Sequence, residues 1–149
     1  EKYLRTSLSG IGASMTKGYR WNSLHTRLFY TAESRALAIL EVFVHLDLSE
    51  DLPKDRHYAE IEIPDDMLIL EVSIEDLPAD WDAKPPTTLT QSIGDDFVGY
   101  NEAAVLKVPS SIVPQESNYL INPNHPDAKR IIVKRTSPMV FDSRFSFKL

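Results

Sequence analysis

The stretch Ala36-Leu37-Ala38-Ile39-Leu40-Glu41-Val42-Phe43-Val44 places a single glutamate among apolar neighbours. It lies within residues 33–46, which contain strong helix formers and no glycine or proline and therefore predict a helix. Thr31 is the expected N-cap, with Glu33 in the first turn. Both faces of this helix are apolar at about 3.6 residues per turn, so we expect it to be buried on most sides. A buried carboxylate costs several kcal/mol unless a partner compensates it, which makes Glu41 a candidate site residue.

An arginine flanked by aromatic residues precedes this helix, in Tyr19-Arg20-Trp21-Asn22. Tyr30 and Glu41 follow Arg20 by ten and twenty-one positions. Such an arginine either lies on the surface, stacked on its neighbours, or presents a planar fork to a phosphate or a ribose. Tyr30 ends an apolar strand candidate, a position that by itself favours the core. The alternative for Glu41 is a structural ion pair with a cation nearby in the sequence: Arg20, Arg35 or His45.

Composition excludes several functional classes. A length of 149 residues favours one domain spanning residues 1–149. The absence of cysteine excludes disulfides, thiolate zinc sites and cysteine nucleophiles. A net charge of −6 argues against nucleic acid as the main partner, and no apolar run approaches the ~20 residues of a membrane-spanning helix. Residues 1–5 do not form a secretory signal, so we expect a cytoplasmic protein without membrane contact.

Charge is distributed unevenly along the chain. Residues 47–82 contain thirteen acidic and two basic side chains. The first 35 residues contain six basic side chains and two acidic ones, and residues 129–148 contain six basic and one acidic. If the two ends meet in the fold, they form a basic zone suited to an anionic small molecule. The alternative is a solvated acidic surface with scattered basic residues.

Periodicity along the rest of the chain indicates an α+β fold with small mixed sheets. A second, short helix is predicted over residues 89–100, with Gly94 as its weak point. Loops are expected over residues 6–18, rich in Ser, Gly and Thr, and over the proline-containing residues 77–88. Apolar or alternating runs predict several strands, of which 67–72 is expected to be more buried than 58–63. The predicted strands cover residues 27–30, 58–63, 67–72, 104–108, 131–134 and 139–141. Many short strands with two or so helices, out of strict alternation, are typical of the α+β class.

Other catalytic and metal-binding patterns are weak. The glycines of Ser9-Gly10-Ile11-Gly12-Ala13 could let main-chain N–H groups approach a phosphate, but they lack the context of a dinucleotide fingerprint, so a turn is the simpler interpretation. The four histidines show no i, i+4 pairing of a helical zinc site, and no metal is expected. A serine–histidine–acid triad has no elbow motif to support it.

Short motifs follow one another in order along nearly the whole chain. They are Leu8-Ser9-Gly10-Ile11-Gly12-Ala13, Gly18-Tyr19-Arg20-Trp21-Asn22, Tyr30-Thr31-Ala32-Glu33-Ser34, Ala38-Ile39-Leu40-Glu41, Leu77-Pro78-Ala79-Asp80-Trp81, Ile93-Gly94-Asp95, Val108-Pro109-Ser110, Asn118-Tyr119-Leu120-Ile121-Asn122-Pro123-Asn124-His125-Pro126 and Phe141-Asp142-Ser143-Arg144. Together they resemble the RES domain family, named for an arginine, a glutamate and a serine. Any one motif is unspecific, but the ordered set is specific to that family.

The resemblance assigns site residues by motif. The family arginine corresponds to Arg20, its glutamate to Glu41, and its serine to Ser110 in Val-Pro-Ser, with Ser111 as a less suitable neighbour. Tyr30 matches an aromatic residue of the family site.

Two departures from the family pattern lie next to the arginine. The family usually reads Gly-Gly-Arg-Trp-Asn, whereas Tyr19 replaces the second glycine here, and Ser23-Leu24-His25 replaces a glycine shortly after Asn22. These departures would reshape the rim of the pocket without removing a named site residue.

The resemblance implies a compact fold similar to that of ADP-ribosyltransferase toxins, with NAD+ bound in a cleft between small sheets. It implies a toxin that cleaves the nicotinamide–ribose bond of NAD+ by hydrolysis, or by phosphorolysis with phosphate as acceptor. One alternative is an ADP-ribosyltransferase that modifies a protein target. A further alternative is a non-catalytic module that binds a nucleotide or a partner.

The same resemblance suggests a role for each site residue. Glu41 would stabilise the cationic ribose of the transition state, and Arg20 would bind the pyrophosphate or the adjacent ribose. Tyr30 would stack on nicotinamide, and Ser110 would hydrogen-bond the nicotinamide ribose or amide. Two further residues would shape the position of the arginine: Trp21 and Asn22.

The partner implied by the resemblance is a helix-turn-helix antitoxin of the Xre type. Such an antitoxin blocks the toxin pocket and represses the operon, so the toxin itself makes no direct contact with nucleic acid. A homodimer within the toxin–antitoxin complex is compatible with this arrangement.

Overall fold

The central strand of the larger sheet, β4 (Val105–Pro109), is buried at four of its five positions. The computed structural model describes residues 19–46 and 52–147. In it, β4 pairs antiparallel with β5 (Ser117–Ile121) and parallel with β3 (Ile69–Glu71), while β1 (Phe29–Ala32) pairs antiparallel with β5. The strand order is therefore β1-β5-β4-β3, with β1 and β3 at the edges.

A separate two-stranded ribbon consists of β2 (His57–Glu62) and β6 (Ile132–Pro138), paired antiparallel. Its register shifts between Glu60 and Ile61, which marks a β-bulge. Glu60 on this ribbon forms ion pairs with Arg35 and with Arg135, at 3.6 and 3.1 Å. These pairs are partly exposed, so they orient the ribbon more than they stabilise it.

Two α-helices lie within the described residues, α1 (Arg35–Phe43) and α2 (Thr88–Tyr100). The hydroxyl of Ser34 caps α1 by accepting from the Leu37 N–H, and the hydroxyl of Thr87 caps α2. At the end of α2, Asn101 adopts the left-handed conformation with φ of 54°. Short 3-10 turns occupy Ile74–Asp76, Pro126–Arg130 and Ser143–Phe147.

Apolar side chains between α2 and the larger sheet form the main core. Buried members of this cluster are Trp21, Leu28, Trp81, Phe97, Ala103, Leu106, Val108 and Leu120. A smaller cluster contains Met67, Ala104, Val105 and Ile121. Because β4 contributes to both clusters, both of its faces are covered, which agrees with a strand that is apolar except at Lys107.

Helix α2 makes an unusually close contact with the chain at Trp21. A Cβ atom built on Gly94 would lie 1.5 Å from the Trp21 carbonyl oxygen and 2.7 Å from its carbon. No side chain larger than hydrogen fits there, so the glycine permits a helix-to-backbone approach that any other residue would block. The predicted weak point of the helix is therefore a packing requirement.

The α+β class with small mixed sheets is confirmed, and most predicted strands are present to within two or three residues. The helix predicted over residues 89–100 is α2. The predicted loop over residues 6–18 lies outside the described residues.

Helix α1 is shorter than the predicted residues 33–46, and it differs from its prediction in its N-cap and in its burial. Thr31 is not the N-cap, because it belongs to β1, where its hydroxyl donates to the Tyr119 carbonyl at 2.8 Å. Glu33 lies before the helix, and its carboxylate accepts from the Ser117 N–H at 3.0 Å. Only Leu37 within α1 is fully buried, so the helix is less enclosed than its apolar composition predicted.

The strand predictions fail at three places. Strand β3 was expected to be buried, but it lies at the sheet edge with Ile69 and Glu71 exposed. Residues 139–141 are not a strand, although Met139 and Phe141 are buried. Strand β5 was not predicted, because its first three residues, Ser117-Asn118-Tyr119, lack an apolar pattern.

Replacement of Gly94 by alanine tests the close approach of α2. We expect Gly94→Ala to lower the free energy of unfolding by about 2–4 kcal/mol, because the added methyl group overlaps the Trp21 carbonyl. Gly99 in the same helix is the matched control, since a Cβ there meets nothing within 4 Å. Gly99→Ala should be neutral or stabilising by up to about 1 kcal/mol in urea denaturation. Equal effects of the two substitutions would contradict the packing requirement.

Candidate active site

A tight turn presents Arg20 at the edge of the main core. The Tyr19 N–H donates to the Asn22 carbonyl at 3.0 Å, which closes the turn around Arg20 and Trp21. Trp21 is buried and stacks on Trp81, with ring centroids 6.3 Å apart and an interplanar angle of 30°. The turn is therefore fixed by its tryptophan, while the neighbouring arginine remains only partly buried.

Asn22 completes the turn from inside the protein. Its side chain is fully buried and donates to the carbonyls of Ser23 and Thr26, each at 3.2 Å. The Tyr30 hydroxyl donates to Asn22 Oδ1. A buried amide that is hydrogen-bonded in this way specifies one backbone conformation.

One face of α2 binds this turn at both ends. Gln91 Nε2 donates to the Tyr19 carbonyl at 3.0 Å. The Asp95 carboxylate accepts from the Ser23 N–H at 3.0 Å and from the Ser23 hydroxyl. Residues 91, 94 and 95 share a helix face by their spacing, with Gly94 between the two polar contacts. The Ile93-Gly94-Asp95 motif thus positions the arginine turn.

Tyr30 connects β1 to the arginine turn. Its hydroxyl also accepts from the Trp21 N–H at 3.3 Å, and its ring lies 5.6 Å from that of Tyr19. Burial raises the pKa of Tyr30 well above its ordinary value, with the Trp21 N–H acting in the opposite sense. The hydroxyl therefore remains protonated at neutral pH and serves as a structural hydrogen-bond donor.

The guanidinium of Arg20 is bound on one side by main-chain carbonyls. Its Nη1 donates to the Trp81 carbonyl at 2.8 Å and to the Ala83 carbonyl at 3.0 Å. Burial lowers the pKa of Arg20 from its ordinary value, while the nearby charges of Asp82 and Glu41 oppose that change. Within the described part of the chain, Nε and Nη2 form no hydrogen bond, so their donors remain for an anionic ligand.

Glu41 and Ser110 meet between α1 and the end of β4. The Ser110 hydroxyl donates to Glu41 Oε1 at 3.1 Å. Ser110 is fully buried, and its oxygen accepts from the N–H groups of Ile112 and Val113, at 3.1 and 3.2 Å. The serine is thus fixed by the chain that follows it, and it orients one oxygen of the carboxylate.

The other carboxylate oxygen of Glu41 has no hydrogen-bond partner among the described residues. Nor does any cation in residues 19–46 or 52–147 lie within 4.0 Å of it; Arg35, one of the predicted ion-pair partners, binds Glu60 instead. Glu41 nevertheless lies close enough to Arg20 to act on its charge. Glu41 thus keeps one acceptor oxygen for a ligand, and its charge acts on the cation of Arg20.

The six residues assigned by motif fall into two hydrogen-bonded groups, whose charged members, Arg20 and Glu41, influence each other electrostatically. The first group is the turn with its hydrogen bonds, formed by Arg20, Trp21, Asn22 and Tyr30. The second is Ser110 with Glu41. Sequence reasoning gave no role to Trp81 or Asp95, although both lie in quoted motifs. The sequence has only two tryptophans, and the presence of one of them in a proline-containing loop could have indicated that Trp81 packs against the core.

Two of the four histidines make local main-chain contacts, and the glycine pattern at residues 9–13 lies outside the described residues. His125 Nδ1 accepts from the Asp127 N–H at 3.0 Å and caps a 3-10 turn. His57 Nδ1 lies 3.2 Å from the Asp55 carbonyl. Among the described residues, no group of three or more His, Asp or Glu side chains is arranged to hold a metal ion. No helix in that part of the chain has the length and apolar character to cross a bilayer.

Two surface depressions lie elsewhere. An apolar one of about 120 Å³ lies between α2 and β4, and a polar one of about 250 Å³ lies beside β3 and β4. Neither is lined by Arg20, Tyr30, Glu41 or Ser110. The chemistry of the arginine and glutamate is therefore separate from both depressions.

Known proteins share this chain's sequence over most of its length. It is 45% identical over 144 residues to a Prs ADP-ribosylating toxin of Sphingobium sp. (strain YBL2), covering 95% of this chain and 88% of that protein. It is 38% identical over 136 residues to a Toxin Res of Photorhabdus laumondii, covering 90% and 85%. It is also 38% identical over 123 residues to a Toxin Res of Pseudomonas putida, covering 82% and 81%.

A solved structure shares the fold. A chain in the crystal structure of the M. tuberculosis MbcT–MbcA toxin–antitoxin complex superposes with a TM-score of 0.71 at 16% identity. The match covers 89% of this chain and 76% of that one. The predicted likeness to a toxin fold is thus confirmed at the level of architecture.

The model of the RES domain matches residues 1–142. With that match and relatives of 38–45% identity over most of its length, the chain belongs to the RES domain family.

Proposed function

We propose that this protein is the toxin of a toxin–antitoxin system and that it cleaves the nicotinamide–ribose bond of NAD+, with water or phosphate as acceptor. The observation that supports this best is the hydrogen bond that orients Glu41 from the buried Ser110, together with an electrostatic interaction between Glu41 and the guanidinium of Arg20. The names of the curated relatives, all toxins, agree with it.

The chemistry requires a negative charge at a fixed place. As nicotinamide leaves as a neutral base, the ribose carbon becomes cationic, and a preorganised carboxylate stabilises that charge. The Ser110 hydroxyl donates a hydrogen bond to Oε1 of Glu41, so Oε2 remains to interact with the ribose. The carboxylate is already oriented before the substrate arrives, so little reorganisation is needed during bond cleavage.

Arg20 is suited to the other end of the substrate. With Nη1 engaged by carbonyls, its Nε and Nη2 donors can form a bidentate contact with the pyrophosphate. Trp21 and Asn22 fix the turn that presents it. The ring of Tyr30 is proposed to stack on nicotinamide, since its hydroxyl is already bound within the turn.

Ser110 is proposed to act through Glu41. A direct contact with the nicotinamide ribose or amide would require its hydroxyl hydrogen, which Glu41 accepts in this structure. Its oxygen also accepts two main-chain N–H groups. The residue is therefore better suited to position the carboxylate than to bind the substrate.

The proposed protein partner is a helix-turn-helix antitoxin of the Xre type, acting in the cytoplasm. The solved structure that shares this fold is a toxin–antitoxin complex, which agrees with such a partner. A small helix-turn-helix reading frame next to this gene would support it.

Replacement of Glu41 by glutamine tests the central role. We expect Glu41→Gln to release nicotinamide from NAD+ at least ~100-fold more slowly than the wild type, because the shape is kept and the charge is lost. Glu75→Gln, at an exposed position, is the matched control and should retain the wild-type rate. Equal rates for Glu41→Gln and the wild type would remove Glu41 from the mechanism. If the wild type binds NAD+ without releasing nicotinamide, the protein is a binding module.

Replacement of Ser110 by alanine separates orientation from charge. We expect kcat to fall about tenfold, since Glu41 loses the donor that orients it. The free energy of unfolding should also fall by about 1–3 kcal/mol, because two N–H groups lose their acceptor. Ser111→Ala is the control and should change neither quantity appreciably. A kcat for Ser110→Ala equal to that of Ser111→Ala would contradict the positioning role.

A second candidate function is transfer of ADP-ribose to a protein. It is favoured by the name of the 45% identical relative, a Prs ADP-ribosylating toxin. Adenine-labelled NAD+ incubated with the enzyme in cell lysate distinguishes the two. Our proposal predicts that the label appears in a small molecule. That product is free ADP-ribose if water is the acceptor, and phosphorylated ADP-ribose, formed only when phosphate is present, if phosphate is the acceptor. Label on a protein band, absent with Glu41→Gln, would establish the transferase instead.

A further inference from the structure

The loop of residues 78–86 contacts the guanidinium of Arg20 through its main chain. Two of its carbonyls, from Trp81 and Ala83, accept from the same nitrogen, Nη1, at 2.8 and 3.0 Å. Two acceptors on one nitrogen hold the plane of the guanidinium as well as its position, because both hydrogens of that nitrogen are engaged. The orientation of Arg20 is thus set by a segment more than sixty positions further along the chain.

Trp81 fixes the shape of this loop. Its side chain is only 7% exposed and stacks on Trp21, the neighbour of Arg20 in the turn. Its N–H donates to the Pro78 carbonyl at 3.1 Å, and the Ala83 N–H donates to the Asp80 carbonyl at 3.0 Å. These consecutive turns hold both acceptor carbonyls in place, and the buried indole ties them to the core.

We propose that Trp81 is a positioning residue for Arg20: its indole docks the loop whose carbonyls orient the guanidinium toward the substrate. The inference rests on the proposed function, in which Arg20 binds the NAD+ pyrophosphate. A bidentate contact needs the plane of the guanidinium in one orientation, so freedom of rotation weakens binding without altering the chemistry at the ribose. The nearby charge of Asp82 favours the charged form of the partly buried arginine.

Three variants test the role of the indole. We expect Trp81→Leu to raise the KM for NAD+ about tenfold while kcat changes less than about twofold, since the lost interaction serves binding. Trp81→Phe retains a ring against Trp21 and should give an intermediate KM. Phe97→Leu removes a ring from the same core but lies outside the loop of residues 78–86, so it should lower the melting temperature with KM unchanged. A KM shift in Phe97→Leu as large as that in Trp81→Leu would overturn the proposal.

A double-mutant cycle with Arg20→Met separates positioning from general packing. The dissociation constant of NAD+ is measured by calorimetry in the Glu41→Gln background, where turnover is slow. We expect the effect of Trp81→Leu to disappear once Arg20 is replaced, because the indole acts through the guanidinium. If Trp81→Leu does not fold, the cycle uses Trp81→Phe.

The two ways in which the cycle could fail are distinct. An equal loss of affinity from Trp81→Leu with and without Arg20 would overturn the positioning role and leave the role of Arg20 intact. No loss of affinity in Arg20→Met itself would overturn the proposed function of the arginine, and the positioning role with it.

Discussion

The close approach of α2 to the main chain at Trp21 is the constraint on which the site depends. A helix can lie against a peptide carbonyl only where it has no side chain, and Gly94 provides that place. Asp95 and Gln91, which lie one and three positions from Gly94 in the sequence, hydrogen-bond the two ends of the turn that contains Arg20. If the helix were displaced by the width of a methyl group, the turn would move, and Arg20 with it. Backbone packing therefore sets the position of the turn that presents this cation.

Neutral groups are buried in this site, whereas charged groups are not fully buried. Asn22 and Ser110 have no exposed surface, yet each is hydrogen-bonded, so their burial carries no unpaired polar atom. Arg20 and Glu41 are only partly buried, which avoids most of the desolvation penalty of an ion pair in the core. The neutral network supplies rigidity and the charges stay available to a ligand. The charges of Arg20 and Glu41 therefore act on each other, while each residue keeps donor or acceptor atoms for a ligand.

The sequence predicted the fold class and grouped the site residues, but not the contacts that orient them. Motif order named Arg20, Glu41 and Ser110 as site residues, and the last two form a hydrogen bond in the structure. Periodicity correctly located α1 yet overstated its burial, because an apolar helix face does not reveal what covers it. Strand β5 was missed since its central position, not its composition, stabilises it. The loop contacts of Arg20 are main-chain interactions over long separations, which leave no pattern in side-chain identity.

The geometry also explains why the acceptor is harder to infer than the bond that breaks. In the proposed function, departure of nicotinamide generates the same cationic ribose whether water, phosphate or a protein side chain follows, so the proposed roles of Glu41 and Arg20 are the same in all three reactions. Selection among acceptors depends on what can reach the ribose face opposite the leaving group. Next to Arg20, Tyr19 and the residues after Asn22 depart from the family pattern, and we expect them to influence that choice. The buried hydrogen bond that orients Glu41 serves water, phosphate and a protein side chain alike in this proposal, so it does not select among them.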